Sequence, residues 1–368
     1  MKKILLVTIF RVPNYGSVLQ AFASQYILEK TGASCSILNY DHNNSRWGNS
    51  HGVKKTSIKS KIGVFLGLKS HHRKQKQLNR FIRKYFHLTR KCHDICEIKQ
   101  NLPQFDIYII GSDQVWNTKF TNGDPVFLLD FVGDDKKCIS LASSFATHNI
   151  ATTYIESFVK GLAKFKKISV REENGIKILK NIGFDSCKLL LDPTLLLSCS
   201  QWNTLLCRKS KFRDKTYILI YMWCYAFEPR PYIFEVIRYF KEKMNCPIYV
   251  LEGYDDMKGS EISEIYDMTD SSIPQFLDLF SNASLVITSS FHGTAFALNF
   301  GIPLISIVPE NGDDRQMSLL QKLNVQQCML KVRENISDAN PFYDKDSEQL
   351  ALEELRVDSL NWIEETIK

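Results

Sequence analysis

KILLVTIFRVPNYGSVLQAFASQYILEKTGASCSILNY, residues 3–40, is the stretch on which the fold turns. Its first apolar run, Ile4 to Ile9, shows no alternation, as expected of a parallel strand covered on both faces. Pro13, Asn14 and Gly16 then mark a turn. From Val18 to Lys30 the residues Leu19, Phe22, Ala23, Tyr26 and Ile27 recur at helical spacing until Gly32 stops them. Cys35 to Tyr40 reads as a second strand. Strand, loop, helix, strand is the unit from which parallel sheets are assembled.

Working outward, the alternation resumes after a basic insertion. Strands are predicted at Asp106 to Ile110, Lys137 to Ser143, Lys167 to Val170 and Leu189 to Leu191, with a helix over Thr153 to Phe165 and another from Arg171 to near Gly183. In the second half, strands are expected at Tyr217 to Met222, Tyr249 to Leu251, Ser284 to Thr288 and Leu304 to Val308. The helices between and beside them cover Pro231 to Lys243, Ile273 to Phe280 and His292 to Asn299. A chain of 368 residues exceeds one ordinary hydrophobic core. The pattern therefore divides into residues 1–200, a Rossmann-like domain carrying the insertion around 46–91, and residues 201–368, a second one whose C-terminal helix, Glu348 to Ile367, can pack back on either domain.

The composition, 44% hydrophobic and 24% charged, is that of a globular chain. Met1-Lys2-Lys3 and the apolar run after it imitate a signal peptide, but Arg11 interrupts the run and no small-residue cleavage site follows. No apolar stretch approaches the ~20 residues needed to span a bilayer. Ten scattered cysteines read as reduced thiols, and Cys92-His93-…-Cys96 lacks a second pair at metal-ligand spacing, so no metal is expected. From His42 to His93 there are 14 Lys or Arg residues and no Asp or Glu, within a chain of net charge +7. Ile58, Ile62, Val64, Phe65, Leu66 and Leu68 are interspersed with Lys59, Lys61 and Lys69, a pattern that suits an interface with anionic lipid head groups.

Six polar segments each follow a predicted strand, where open parallel sheets place ligands. Ser289-Ser290-Phe291-His292-Gly293-Thr294 opens a helix, so its amides favour an anion; His292 can donate a proton and Gly293 lets a substrate approach the backbone. A histidine capping its own helix is the equal alternative. Arg171 and Arg315 can pair with phosphate or carboxylate oxygens, or with the acids beside them, Glu172, Asp313 and Asp314. Ser112, Asp113, Gln114 and Asn117 surround Trp116, a set able to bind sugar hydroxyls while an indole covers the ring, with Asp113 a base for a hydroxyl. The alternative is a helix cap with Trp116 in the core. Asn14, Tyr15, Gly16 and Gln20 divide in the same way. No Walker loop, dinucleotide fingerprint or nucleophile elbow occurs.

Taken together and in order, NYGSVLQ from Asn14, GSDQVWN from Gly111, ASSF from Ala142, VREE from Val170, LDPTL from Leu191, SSFHGTAF from Ser289 and Asp314-Arg315 ahead of Leu319-Leu320 resemble the polysaccharide pyruvyl transferase family. The resemblance implies two Rossmann-like domains facing a cleft, as in the GT-B glycosyltransferase architecture, and transfer of pyruvate from phosphoenolpyruvate onto two sugar hydroxyls with release of phosphate. Family members act on cell-surface glycans or their lipid-linked precursors. That implies a sugar acceptor, such as a polyprenyl-diphosphate-linked oligosaccharide, and a cytoplasmic protein touching the inner face of the membrane through 46–91. Nucleic acid is not an expected partner.

Ser290 stands where some members carry an arginine two residues before the histidine, so the anion is assigned first to Arg171 and second to Arg315, with Ser289, Ser290, His292, Gly293 and Thr294. His292 is the expected acid, Asp113 the expected base, and Asn14, Tyr15, Gly16, Gln20, Ser112, Gln114, Trp116 and Asn117 the acceptor residues. Phosphoenolpyruvate is the donor and no cofactor is called for. The rival readings are a GT-B glycosyltransferase using a nucleotide sugar and a non-catalytic binder of glycans or nucleic acid.

Overall fold

The structure is a computed structural model that describes residues 1–41, 60–206, 210–312 and 314–368. Much of the basic insertion, including Lys59 and its apolar neighbour Ile58, lies outside the described residues, as does Asp313. The side chains of residues 60–72, Lys61 and Lys69 among them, lie outside as well.

The chain forms two compact units. The first comprises Met1–Thr56, Ile82–Leu196 and Leu355–Lys368, the second Ser57–Phe81 and Leu197–Glu354. Neither unit is continuous in sequence. Part of the insertion joins the second unit, and the end of the final helix joins the first.

In the first unit, β1 (Lys3–Val7), β2 (Ser34–Ile37), β3 (Ile107–Gly111), β4 (Lys137–Leu141), β5 (Phe165–Val170) and β6 (Cys187–Leu189) form a parallel sheet in the order β2-β1-β3-β4-β5-β6. Helix α1 (Tyr15–Lys30) carries the predicted apolar residues. In the second unit, β7 (Ile218–Tyr221), β8 (Ile248–Glu252), β9 (Ile265–Asp267), β10 (Leu285–Thr288), β11 (Leu304–Val308) and β12 (Met329–Lys331) pair in the order β9-β8-β7-β10-β11-β12. This is the 3-2-1-4-5-6 arrangement of a dinucleotide-type Rossmann sheet. Every pairing is parallel, and the central strands are buried from end to end, which is why their sequences run apolar without alternation.

Four further helices matter here: α2 (Ser60–Tyr85), α3 (Phe291–Asn299), α4 (Asp314–Lys322) and α5 (Lys345–Ile367). Each unit has its own core. Trp116, Phe145 and Phe158 pack together in the first, while Tyr221, Phe276, Phe280 and Phe296 form an edge-to-face cluster in the second. Among the described residues, no helix is long and apolar enough to cross a membrane.

Candidate functional site

In each sheet the chain reverses its direction of strand addition at one place, and there the loops after two neighbouring strands diverge, leaving room for a ligand. In the first unit these are β1 and β3. The two loops are joined by side chains. Asn14 caps α1, its Oδ1 accepting from the Gly16 and Ser17 amides at 2.8 and 3.3 Å. Ser17 Oγ then donates to Asp113 Oδ2 at 2.7 Å. Gln20 Nε2 donates to Thr8 Oγ1 and the Ile9 and Ser17 carbonyls, and Thr8 Oγ1 donates to the Ser112 carbonyl at 3.1 Å.

The predicted acceptor residues are thus brought together, but most of their polar groups are used internally. Ser112 Oγ donates to the Ala142 carbonyl at 2.8 Å and Asn117 Nδ2 to Gln114 Oε1 at 2.8 Å, while Asn117 Oδ1 caps the following turn. Tyr15 and Gly16 are buried in the first turn of α1. Trp116 is 1% exposed, packs on Phe145, and donates Nε1 to the Phe127 carbonyl at 3.1 Å. Of its two readings the core one describes the structure: that ring has no face to lay on a sugar. Asp113 sits at φ 65°, a left-handed conformation that Asp tolerates better than most residues, and aims its carboxylate between Ser17 and Arg171.

Arg171 departs most from its expected role. It is 6% exposed, and its Nη1 donates to Asp192 Oδ2 at 2.7 Å, with Asp113 and Glu172 carboxylates each 3.9 Å away. Asp192 Oδ1 accepts from Thr194 N and Oγ1, and Glu172 Oε1 from Ser144 Oγ and the Phe145 and Ala146 amides. One buried cation therefore stands among three carboxylates, each drawn from the end of a different strand or loop. Such a guanidinium ties those loops together. An entering phosphate would meet more negative than positive charge there.

The second unit reverses between β7 and β10. Ser289, after β10, faces the loop after β7: its Oγ accepts from the Trp223 amide and donates to the Trp223 carbonyl, both at 2.8 Å. Thr288 Oγ1 donates to the Tyr221 carbonyl at 2.6 Å and accepts from the Ser290 amide at 3.0 Å. A Cβ on Gly293 would lie 2.2 Å from Thr288 Oγ1 and 3.0 Å from the Tyr221 ring. Glycine is needed there by these neighbours, not, as the sequence suggested, to admit a substrate. Thr294 Oγ1 shares a 2.8 Å hydrogen bond with Ser306 Oγ, so it too is structural.

His292 remains the candidate for chemistry. It is 6% exposed, in the first turn of α3, with its ring edge-on to Phe291. Ser290 is the N-cap and makes no side-chain cap hydrogen bond, so the positive end of the helix dipole lies beside His292. Arg315 lies in the first turn of α4. The next residue, Gln316, donates Nε2 to Ser306 Oγ at 2.7 Å and approaches Thr294 Oγ1 at 3.4 Å, which fastens the start of α4 to the start of α3.

Sequence reading passed over Trp223 and Glu252. Both stand at a strand end, and the same rule that selected Ser289 would have found them had it been applied to β7 and β8.

A family model described as polysaccharide pyruvyl transferase matches residues 14–311. No curated protein sequence matches the chain. Among solved structures, the S. aureus MnaA–UDP complex is 10% identical with a TM-score of 0.57, covering 95% of this chain and 94% of that one. UDP-GlcNAc 2-epimerase from Methanocaldococcus jannaschii, in complex with UDP-GlcNAc and UDP, is 13% identical with a TM-score of 0.52, covering 96% and 99%. At such identities the likeness is one of fold, the GT-B-like pairing of two Rossmann-type units.

Proposed function

Because the chain belongs to the polysaccharide pyruvyl transferase family, we propose that it moves pyruvate from phosphoenolpyruvate to two hydroxyls of one sugar in a cell-surface glycan or its lipid-linked precursor. The observation that carries the donor side is His292 in the first turn of a helix whose N-cap, Ser290, makes no side-chain cap hydrogen bond. A phosphate or carboxylate gains there from the helix amides, and Arg315, in the first turn of the adjoining helix, is the guanidinium assigned to it. This replaces Arg171, whose charge Asp192 takes.

In the proposed reaction, a sugar hydroxyl oxygen bonds to the central carbon of phosphoenolpyruvate while His292 protonates its methylene carbon. The proton that this hydroxyl loses replaces the one His292 has given up. A second hydroxyl then bonds to the same carbon as the carbon–oxygen bond to phosphate breaks, and its proton leaves with the phosphate. The products are a pyruvate ketal and inorganic phosphate, and the electrons balance without a metal or redox partner.

The test is phosphate release from phosphoenolpyruvate with candidate lipid-linked glycans, the glycans being weighed for a pyruvate increment. Removing the acid should cost about 10²–10⁴-fold in rate. A His292→Ala protein with near-normal phosphate release overturns the assignment. Use of a nucleotide sugar, as the ligands of the epimerase complex invite, predicts stabilisation by the nucleotide and not by phosphoenolpyruvate. Peripheral attachment through the basic segment is a separate proposal resting on its composition, and neutralising its lysines should abolish sedimentation with anionic liposomes. Lys74 is not one of those lysines, since it turns inward to Glu252.

A further inference from the structure

The second unit has a pocket of ≈ 270 Å³ at the carboxyl ends of β7 and β8, lined by Lys74, Trp223, Glu252, Tyr254, Asp255 and Asp256, among others. Small-molecule sites span roughly 300–1,000 Å³, so this one suits a single ring better than a nucleotide.

Its walls are built rather than incidental. Ser289 holds Trp223 by both backbone groups. Gly253, at φ +89°, lets the chain pass Met222, whose Cε would be 2.4 Å from an added Cβ. Lys74, delivered by α2 and 3% exposed, pairs with Glu252 and stands 5.1 Å from the centre of the Trp223 ring.

The charges decide the ligand class. Lys74 is matched by Glu252, Asp256 pairs with Arg230, and Asp255 lies 2.5 Å from Lys258. Each carboxylate of the lining is thus matched by a cation, which leaves no uncompensated positive charge to hold an anion such as phosphoenolpyruvate. Carboxylates that accept, an ammonium that donates and an indole wall are instead the groups that hold a neutral polyhydroxylated ring. Trp223 Nε1 is buried and has no hydrogen-bond partner among the described residues.

We propose that this pocket is a sugar subsite and that it receives the acceptor. The word acceptor rests on the pyruvyl-transfer reading, whereas the preference for a neutral ring does not. It also relieves the first-unit segment around Trp116 of that role, its polar groups being already engaged.

The experiment is saturation-transfer NMR and titration of the full chain with methyl glycosides of glucose, galactose, mannose, N-acetylglucosamine and N-acetylmannosamine. At least one should bind. Trp223→Leu, which removes the indole wall, and Asp255→Ala, at an exposed position, should each weaken that binding roughly 3- to 10-fold. Phosphoenolpyruvate should not compete. Absence of binding by every glycoside, binding unchanged in both variants, or displacement by phosphoenolpyruvate overturns the proposal. If glycosides bind as described but phosphoenolpyruvate neither stabilises the protein nor is consumed, the donor assignment fails and the sugar subsite stands.

Discussion

A methyl group at position 293 would meet a hydroxyl that is itself fixed to the Tyr221 carbonyl. Alanine adds roughly 1 kcal/mol of helix propensity over glycine, but overpacking typically costs about 1–3 kcal/mol, so the clash wins. Gly293→Ala should lower the melting temperature, measured by circular dichroism. Arg171→Met strips Asp192 of its buried partner, and breaking such a pair costs about 3–5 kcal/mol. Its signature is a lower urea midpoint with an unchanged slope. Residue roles were the least legible part of the sequence. GSDQVWN announces a concentration of polar groups around an indole, yet whether Trp116 faces a sugar or the core depends on Phe145 and Phe158, which lie far along the chain.

At the scale of elements, strands such as Leu304–Val308 were readable from continuous apolar runs, and their ends shifted by a few residues at most. The edge strands Ile265–Asp267 and Met329–Lys331 left no such trace: three residues each and only partly buried, they take their conformation from the strand alongside. Asn14 was read as either a ligand residue or a cap, and the cap is what forms. Helix α1 has no acidic residue in its first turn to share the task. Asn14→Ala should therefore destabilise the first unit by about 1 kcal/mol, read from its chemical denaturation curve. Such a small loss with full chemistry retained would separate a structural cap from a substrate ligand.

For the whole molecule, alternating strands and helices on both sides of residue 200 made two parallel sheets legible, and the strand orders 2-1-3-4-5-6 and 3-2-1-4-5-6 then locate the places where ligands can enter. Which unit each segment joins was not legible, because membership is decided by packing partners and not by local pattern. The end of α5 illustrates this. Ser359 Oγ accepts from the Leu191 amide at 3.2 Å and Arg356 Nε donates to the Leu195 carbonyl at 2.8 Å, both within the first unit. Removing Leu355–Lys368 should strip hydrogen-exchange protection from Leu190–Leu196 while strands β10 and β11 stay protected.

The same feature bears on how the protein is made. Domains ordinarily fold one after another as they leave the ribosome, the N-terminal one first. Here Leu355–Lys368 is translated only after the whole of the second unit, so the first cannot finish until the second has been synthesised. Until then the Leu191 amide and Leu195 carbonyl lack the partners that Ser359 and Arg356 supply, and the unit that begins the chain is the last to be completed.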